Sequence, residues 1–190
     1  MCLKNTKTEE NLKKALAGES MARNKYSYYA EAARANGDLD IADAFEEMAR
    51  NEMAHAKIWF ELLYGKPGDT ASCLIKSATG EYEEWYSMYP AFAAQARADG
   101  LEEVAQKFEH VAAIERSHDN RFMTLLANLK KTDPAKSAAA APGKAATPTA
   151  PRTKKTGYRC QFCGAIADTR PDVCRVCGAI GASEHVEYYE

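Results

Sequence analysis

Among 190 residues, 27 acidic side chains slightly outnumber 25 basic ones, and the two signs are interspersed, giving a net charge near −2 and a pI of about 6.1. No basic face is offered to nucleic acid or anionic lipid, and no run approaches the ~20 apolar residues of a membrane-spanning helix, so neither partner is expected and the chain reads as soluble and cytoplasmic. The length allows one helical domain and a small appendage.

The first 131 residues read as four long helices. Thr6 and Glu9 have the spacing of a capping box and open the first, which runs to a stop at Asn36-Gly37. Asp38 is the expected cap of the second, which ends at Gly65-Lys66-Pro67-Gly68. The third begins between Ser72 and Ser77 and stops near Gly100, and Pro90 inside it should bend it because the ring clashes with the carbonyl four residues back. The fourth continues to about Lys131. Ile41, Phe45, Met48, Glu52, His55, Trp59 and Leu62 on the second helix recur on the fourth as Val104, Phe108, Val111, Glu115, His118, Phe122 and Leu125. Alternating steps of four and three put each set on one helix face. Two matching helical hairpins follow, each with an uncovered apolar face, and the pair is expected to close as an all-α four-helix bundle over 1–131.

At the middle of each stripe stand a Glu and, three residues on, a His. An ionised carboxylate in an apolar face costs several kcal/mol unless something offsets it, and a pair of metal ions does so by taking an oxygen and a nitrogen donor from each helix. The first helix supplies one acid, Glu19, on the stripe Leu12, Ala15, Glu19, Ala22, Tyr26, Tyr29 and Ala33. On the third, Glu81 and Glu84 share a face with Met88 and Ala91, and Glu84 is the better placed. The expected ligands are therefore Glu19, Glu52, His55, Glu84, Glu115 and His118, the pattern of ferritin-like di-iron and di-manganese proteins. Four carboxylates balance two ferrous ions, or two ferric ions joined by an oxo group, whereas zinc gains little from so many bridging acids, so redox-active iron is favoured.

Residues 132–157 turn to Pro, Ala, Thr, Ser and Lys and read as a solvated linker. Residues 158–190 are too few for their own apolar core and carry Cys160, Cys163, Cys174 and Cys177 as two C-x-x-C-Gly knuckles. Four thiolates at this spacing make a tetrahedral site that suits iron or zinc, with iron favoured beside a redox bundle. The glycine after each pair lets backbone amides turn toward the sulfurs. Cys2 and Cys73 read as ordinary thiols, His110 and His185 as surface residues, and Trp59, Trp85 and Phe122 as packing or cover for the metals.

Gly18-Glu19-Ser20, Ala22-Arg23-Asn24-Lys25-Tyr26, the Glu52 and His55 pair, Glu84 followed by Met88-Tyr89-Pro90, the Glu115 and His118 pair and the terminal knuckles run in this order over nearly the whole chain. In that order they resemble the rubrerythrin family. The resemblance implies a ferritin-like bundle with a non-haem di-iron site, a rubredoxin-like iron centre and an oxidoreductase that reduces hydrogen peroxide to water in oxidative stress defence. It also implies an external electron donor such as a rubredoxin or an NAD(P)H-dependent reductase, and a homodimer in which the four-cysteine iron of one subunit feeds the di-iron site of the other. Tyr26 and Tyr89 resemble tyrosines that stand beside the family's di-iron site. No Gly-rich phosphate loop is present, so NADH would act through a separate reductase.

Three departures stand out. Family members usually carry an acid before Met-Tyr-Pro, exchanged for histidine by one iron on reduction; here Ser87 is a poor ligand, so water takes the place or iron stays with His55 in both states. Arg175 and Ala165 replace the usual Pro and Tyr of the knuckles, which thins their apolar cover and either raises the potential or eases zinc entry. The linker is long for the family. Two rival readings remain: a ferroxidase or oxygen-reducing oxidase on the same bundle, and a zinc-bound, non-catalytic stress or interaction protein. Apolar residues at positions 52, 55, 115 and 118 would serve the second better.

Overall fold

The computed structural model describes residues 3–132 and 153–189; Cys2 and most of the expected linker lie outside the described residues. Two compact units divide the chain at Pro67 and Gly68.

The first unit is a hairpin of α1 (Lys7–Ala35) and α2 (Leu39–Tyr64). Thr6 caps α1 by accepting from the Glu9 backbone N–H at 3.1 Å, while the Glu9 carboxylate reaches back to the Asn5 N–H at 2.7 Å. Asp38 precedes α2 but makes no side-chain cap bond. Its backbone, at φ −84° and ψ 66°, leaves the extended conformation that swings a capping oxygen over the first turn. The helices meet through small residues, with Ala30, Ala33, Ala42 and Ala49 buried. This alanine seam leaves the larger apolar stripe on the outer face: Ile41 is 54% exposed, Met48 41% and Leu62 50%.

The second unit holds α3 (Thr70–Glu83), a π-helical turn (Glu84–Met88), α4 (Tyr89–Ala98), α5 (Glu102–Thr132) and a small sheet. Asp69 accepts from the Ser72 N–H at 2.9 Å, so α3 starts two residues earlier than expected. The bend expected at Pro90 takes the form of the π turn, in which the Tyr89 N–H bonds to Glu84, five residues back. Proline has no N–H to continue the α-helical ladder, and one extra residue before it lets the backbone re-pair on the other side. Ala93, Ala96 and Ala105 form the seam between α4 and α5, with Phe108 packed on it. Here too the stripe faces outward, with Val104 41% and Leu125 45% exposed.

Strands β1 (Lys154–Cys160), β2 (Ile166–Ala167) and β3 (Ser183–Tyr189) form an antiparallel sheet in the order β2-β1-β3. Tyr158 pairs with Ala167 on one side and His185 on the other. Pairing of Lys154 with Tyr189 starts the appendage four residues before the expected boundary at Tyr158. The fold class is thus the expected one, helical throughout with a small four-cysteine unit at the end. Among the described residues no helix is long and apolar enough to cross a membrane.

The two aspartates at helix starts should behave differently. D69A is expected to lower stability by about 1 kcal/mol in urea unfolding, as loss of a real N-cap does, and D38A by a few tenths at most. Equal losses would contradict the capping assignment.

Candidate metal centres

In the first unit, Glu19 on α1 and Glu52 and His55 on α2 bring ligand atoms to within 4.8 Å of one another. His55 Nδ1 stands 2.9 Å from Glu52 Oε2. That bond, together with one to Glu19, holds the Glu52 carboxyl below its ordinary range.

The second unit repeats the arrangement with Glu81, Glu115 and His118, again within 4.8 Å. His118 Nδ1 lies 2.6 Å from Glu115 Oε2 and 3.7 Å from Glu81 Oε2. Burial, then the bond to Glu115 and the charges of Glu115, Glu84 and Asp119, push Glu81 up to about 7. Burial and the Glu115 charge raise Glu84 as well. Tyr89 is shifted up by burial and by Glu84, Glu115 and Glu81 together. A cation held by these carboxylates would reverse the shift. Trp85 donates to Asp119 Oδ2 at 3.2 Å and the Arg116 guanidinium lies 5.5 Å above its ring, closing one flank.

Of the expected ligands, the structure groups Glu19 with Glu52 and His55, and Glu115 with His118. The carboxylate that completes the second group is Glu81, with Glu84 next to it. A straight-helix periodicity misses this because the π turn inserts a residue between Glu81 and Tyr89. The repeat itself holds the signal. Glu52 and Glu115, His55 and His118, and Tyr26 and Tyr89 are each 63 positions apart, whereas Glu19 and Glu81 are 62 apart, one residue having been taken up by the turn. Tyr26 stacks with Phe45 at 6.1 Å as Tyr89 packs with Phe108 at 6.0 Å. Ser87 is exposed and donates to the Glu83 carbonyl at 2.9 Å, so it takes no part in the group. Glu81 and Glu84 give the third helix two acids without it.

In the sheet unit, Cys160 and Cys177 sulfurs are 3.7 Å apart, as are those of Cys163 and Cys174. A tetrahedron with metal–sulfur bonds of about 2.3 Å has edges of about 3.8 Å, so the four thiols fit a single ion. The knuckles are near copies. Gly164 donates to the Cys160 carbonyl and Gly178 to that of Cys174, both at 2.9 Å, and both glycines have φ +78°. Burial and the neighbouring sulfurs push Cys163 up to about 12; burial also opposes ionisation of Cys174, but the Cys177 and Val176 amides outweigh it and lower that thiol to about 7. Arg175 is exposed, while Cys160 and Cys174 are buried. A Cβ on Gly164 would meet His118 Nε2 at 2.6 Å, so the first knuckle abuts the face of the imidazole turned away from Glu115.

A consequence for metal-free protein can be measured. The folded-state pKa of Glu81, about 7 against an ordinary 4.5, means that the folded chain holds a proton the unfolded chain has lost. Its stabilising effect is complete below about 4.5 and disappears as pH rises through 7. Metal-free protein should therefore unfold at lower urea at pH 8 than at pH 5.5, with a smaller difference in E81Q; an unchanged difference would contradict the crowding of these acids.

The Rubrerythrin family model matches residues 10–71 and 72–158. Rubrerythrin-1 of Clostridium acetobutylicum is 36% identical over 193 residues, covering 92% of this chain and 91% of its own. The rubrerythrin of Nitratidesulfovibrio vulgaris is 35% identical with the same coverage of both chains, and that of Porphyromonas gingivalis 33% identical over 92% of this chain and 87% of its own. A solved structure of nigerythrin in its fully reduced, all-ferrous state is 26% identical, covers 97% of this chain and 91% of that one, and superposes with a TM-score of 0.39. With its paired carboxylate–histidine groups and rubredoxin-like cysteine cluster, the chain belongs to the rubrerythrin family.

Proposed function

We propose that the chain is a peroxidase that reduces hydrogen peroxide to water in cytoplasmic defence against oxidative stress. Glu19, Glu52, His55, Glu81, Glu84, Glu115 and His118 would hold two iron ions, and Cys160, Cys163, Cys174 and Cys177 a third iron, with zinc able to occupy the same sulfurs. The observation that carries the reading is the matched pair of half-sites, each offering two carboxylates and an Nδ1, in a chain that also carries a four-thiolate unit. When bound, the iron pair supplies the two electrons that split the oxygen–oxygen bond, and the four-cysteine iron relays their replacements from a rubredoxin or an NAD(P)H-dependent reductase. Two electrons and two protons convert one peroxide into two waters.

The protein's own part is positional and electrostatic. Each imidazole is oriented by the carboxylate one turn before it, which fixes the nitrogen that faces the ion. Burial and three nearby acids disfavour ionisation of the Tyr89 hydroxyl, which would leave it a hydrogen-bond donor. Gly164 brings the knuckle backbone against His118 within the same chain, a short connection between the sulfur and carboxylate groups. For that connection the partner subunit's cysteines are not required.

Reduced protein mixed anaerobically with one equivalent of peroxide should reoxidise much faster than with air-saturated buffer; the reverse order, with ferric iron released, would identify a ferroxidase instead. E81Q and E115Q should lower peroxide turnover ~10–100-fold, while S87A stays within about twofold. G164A and G178A share the strain of φ +78°, roughly 1–2 kcal/mol. Only G164A also meets His118, so it alone should slow re-reduction of the carboxylate centre; equal slowing would remove the Gly164 connection.

A further inference from the structure

We propose that Trp85, Tyr82 and Tyr86 form a redox route that draws a stray oxidising equivalent from the carboxylate group of the second unit to the protein surface. The route rests on the peroxide reading above for its oxidant. Hydrogen peroxide that receives one electron instead of two splits into hydroxide and an oxidant of hydroxyl-radical class, which is one electron and one proton short of water. Formed beside Glu81, Glu115 and His118, it attacks those side chains unless a reductant meets it first.

Trp85 is the ring placed to do so. It follows Glu84 in the chain and donates from Nε1, at 3.2 Å, to Oδ2 of Asp119, the residue after His118. The Asp119 carboxylate favours electron loss from the indole, while the Arg116 guanidinium, 5.5 Å from the ring centroid, opposes a lasting positive charge there. The hole therefore moves on. Tyr82 meets Trp85 edge-on with centroids 5.2 Å apart, Tyr86 meets it at 5.7 Å, and the two tyrosines stack at 5.1 Å. Rings in contact exchange electrons far faster than rings held apart by another side chain. Tyr82 is 44% and Tyr86 63% exposed, so an oxidised phenol releases its proton directly to water. In balance, one electron passes from the phenol through the indole to the oxidant, the phenolic proton enters solvent, and solvent returns one proton to make water. A neutral tyrosyl radical is left at the surface. A soluble thiol gives it a hydrogen atom, restoring the tyrosine and becoming a thiyl radical.

Packing alone does not account for this cluster. Adjacent side chains diverge on an α-helix, yet Trp85 and Tyr86 meet inside the π turn, and both tyrosines face water rather than a core. The internal repeat supplies a comparison within the same chain. At its offsets of 62 and 63, the positions matching Tyr82, Trp85 and Tyr86 are Ser20, Ala22 and Arg23, and those matching Arg116 and Asp119 are Met53 and Ala56. The carboxylates and the histidine are duplicated; the aromatic set is not. Tyr89, which is duplicated, meets Phe92 and Phe108, whose rings resist oxidation and lead nowhere.

The test uses the full, iron-loaded chain carrying W59F, which leaves Trp85 as its single tryptophan. Trp59 Nε1 is buried without a hydrogen-bond partner among the described residues, so phenylalanine forfeits no bond there. Azide radicals made by pulse radiolysis oxidise indole in preference to phenol and need no peroxide. The indole radical band should decay as the tyrosyl band rises, at a rate independent of protein concentration. Y82F/Y86F keeps the rings and removes the phenols, so this transfer should be lost and the indole radical should persist. Unchanged decay in that variant, with wild-type circular dichroism, would overturn the route. Its link to the carboxylate group is read by freeze-quench electron paramagnetic resonance, after peroxide is added to protein holding one ferrous ion per chain beyond that at the cysteines. A tyrosyl signal is expected in W59F and its loss in W59F/W85F, with more oxidised His118 in peptide mass spectra. Equal tyrosyl signals in the two would also overturn the route. Transfer seen by radiolysis in protein that does not react with peroxide would sink the peroxidase reading and leave the route standing.

Discussion

A carboxylate set into an apolar helix face has to be neutralised, and this requirement organises both hairpins. Glu52 and Glu115 sit at the centres of stripes that are otherwise built for burial. Each is met by a histidine one turn on and a second acid from the neighbouring helix. In the second group Glu81 is driven up to about 7 by burial and by its neighbours. Divalent ions answer that demand and turn the mutual repulsion of the acids into shared coordination. The alanine seams let paired helices approach closely and leave large stripe residues such as Ile41, Met48, Val104 and Leu125 on the outer face.

Most of this was legible in the sequence because the duplication is written twice. The alternating four and three steps identified α2 and α5, and with them Glu52, His55, Glu115 and His118. Glu19 stood out as the one acid on an apolar stripe. The sequence placed both Glu81 and Glu84 on this face but ranked Glu84 first, and the reason is local: a π turn ahead of Pro90 shifts the face of the third helix by one residue, and no periodicity count anticipates an insertion in the hydrogen-bond ladder. The same turn explains why Ser87 matters less than its position before Met-Tyr-Pro suggests. Its hydroxyl is taken up by the Glu83 carbonyl and the helix has two other acids to offer. Asp69 was overlooked as a cap because the Pro67-Gly68 stop drew the helix start further along.

The cysteine unit was legible for a simpler reason. Two C-x-x-C-Gly knuckles leave little choice of geometry, and the observed sulfur separations of 3.7 Å are those of a tetrahedral site. Spacing does not convey where the unit sits. That information lies in Gly164, which has no Cβ where His118 Nε2 approaches, and which therefore does two jobs, turning the knuckle and admitting the imidazole.

The claim on which the account stands is that the two carboxylate–histidine groups hold one coupled pair of metals. Mössbauer spectroscopy of protein reconstituted with iron-57 tests it directly. The account predicts two kinds of iron in a ratio of about two to one, the larger a magnetically coupled, oxygen- and nitrogen-ligated pair and the smaller a four-sulfur site. Uncoupled, mononuclear iron in the carboxylate groups would contradict it.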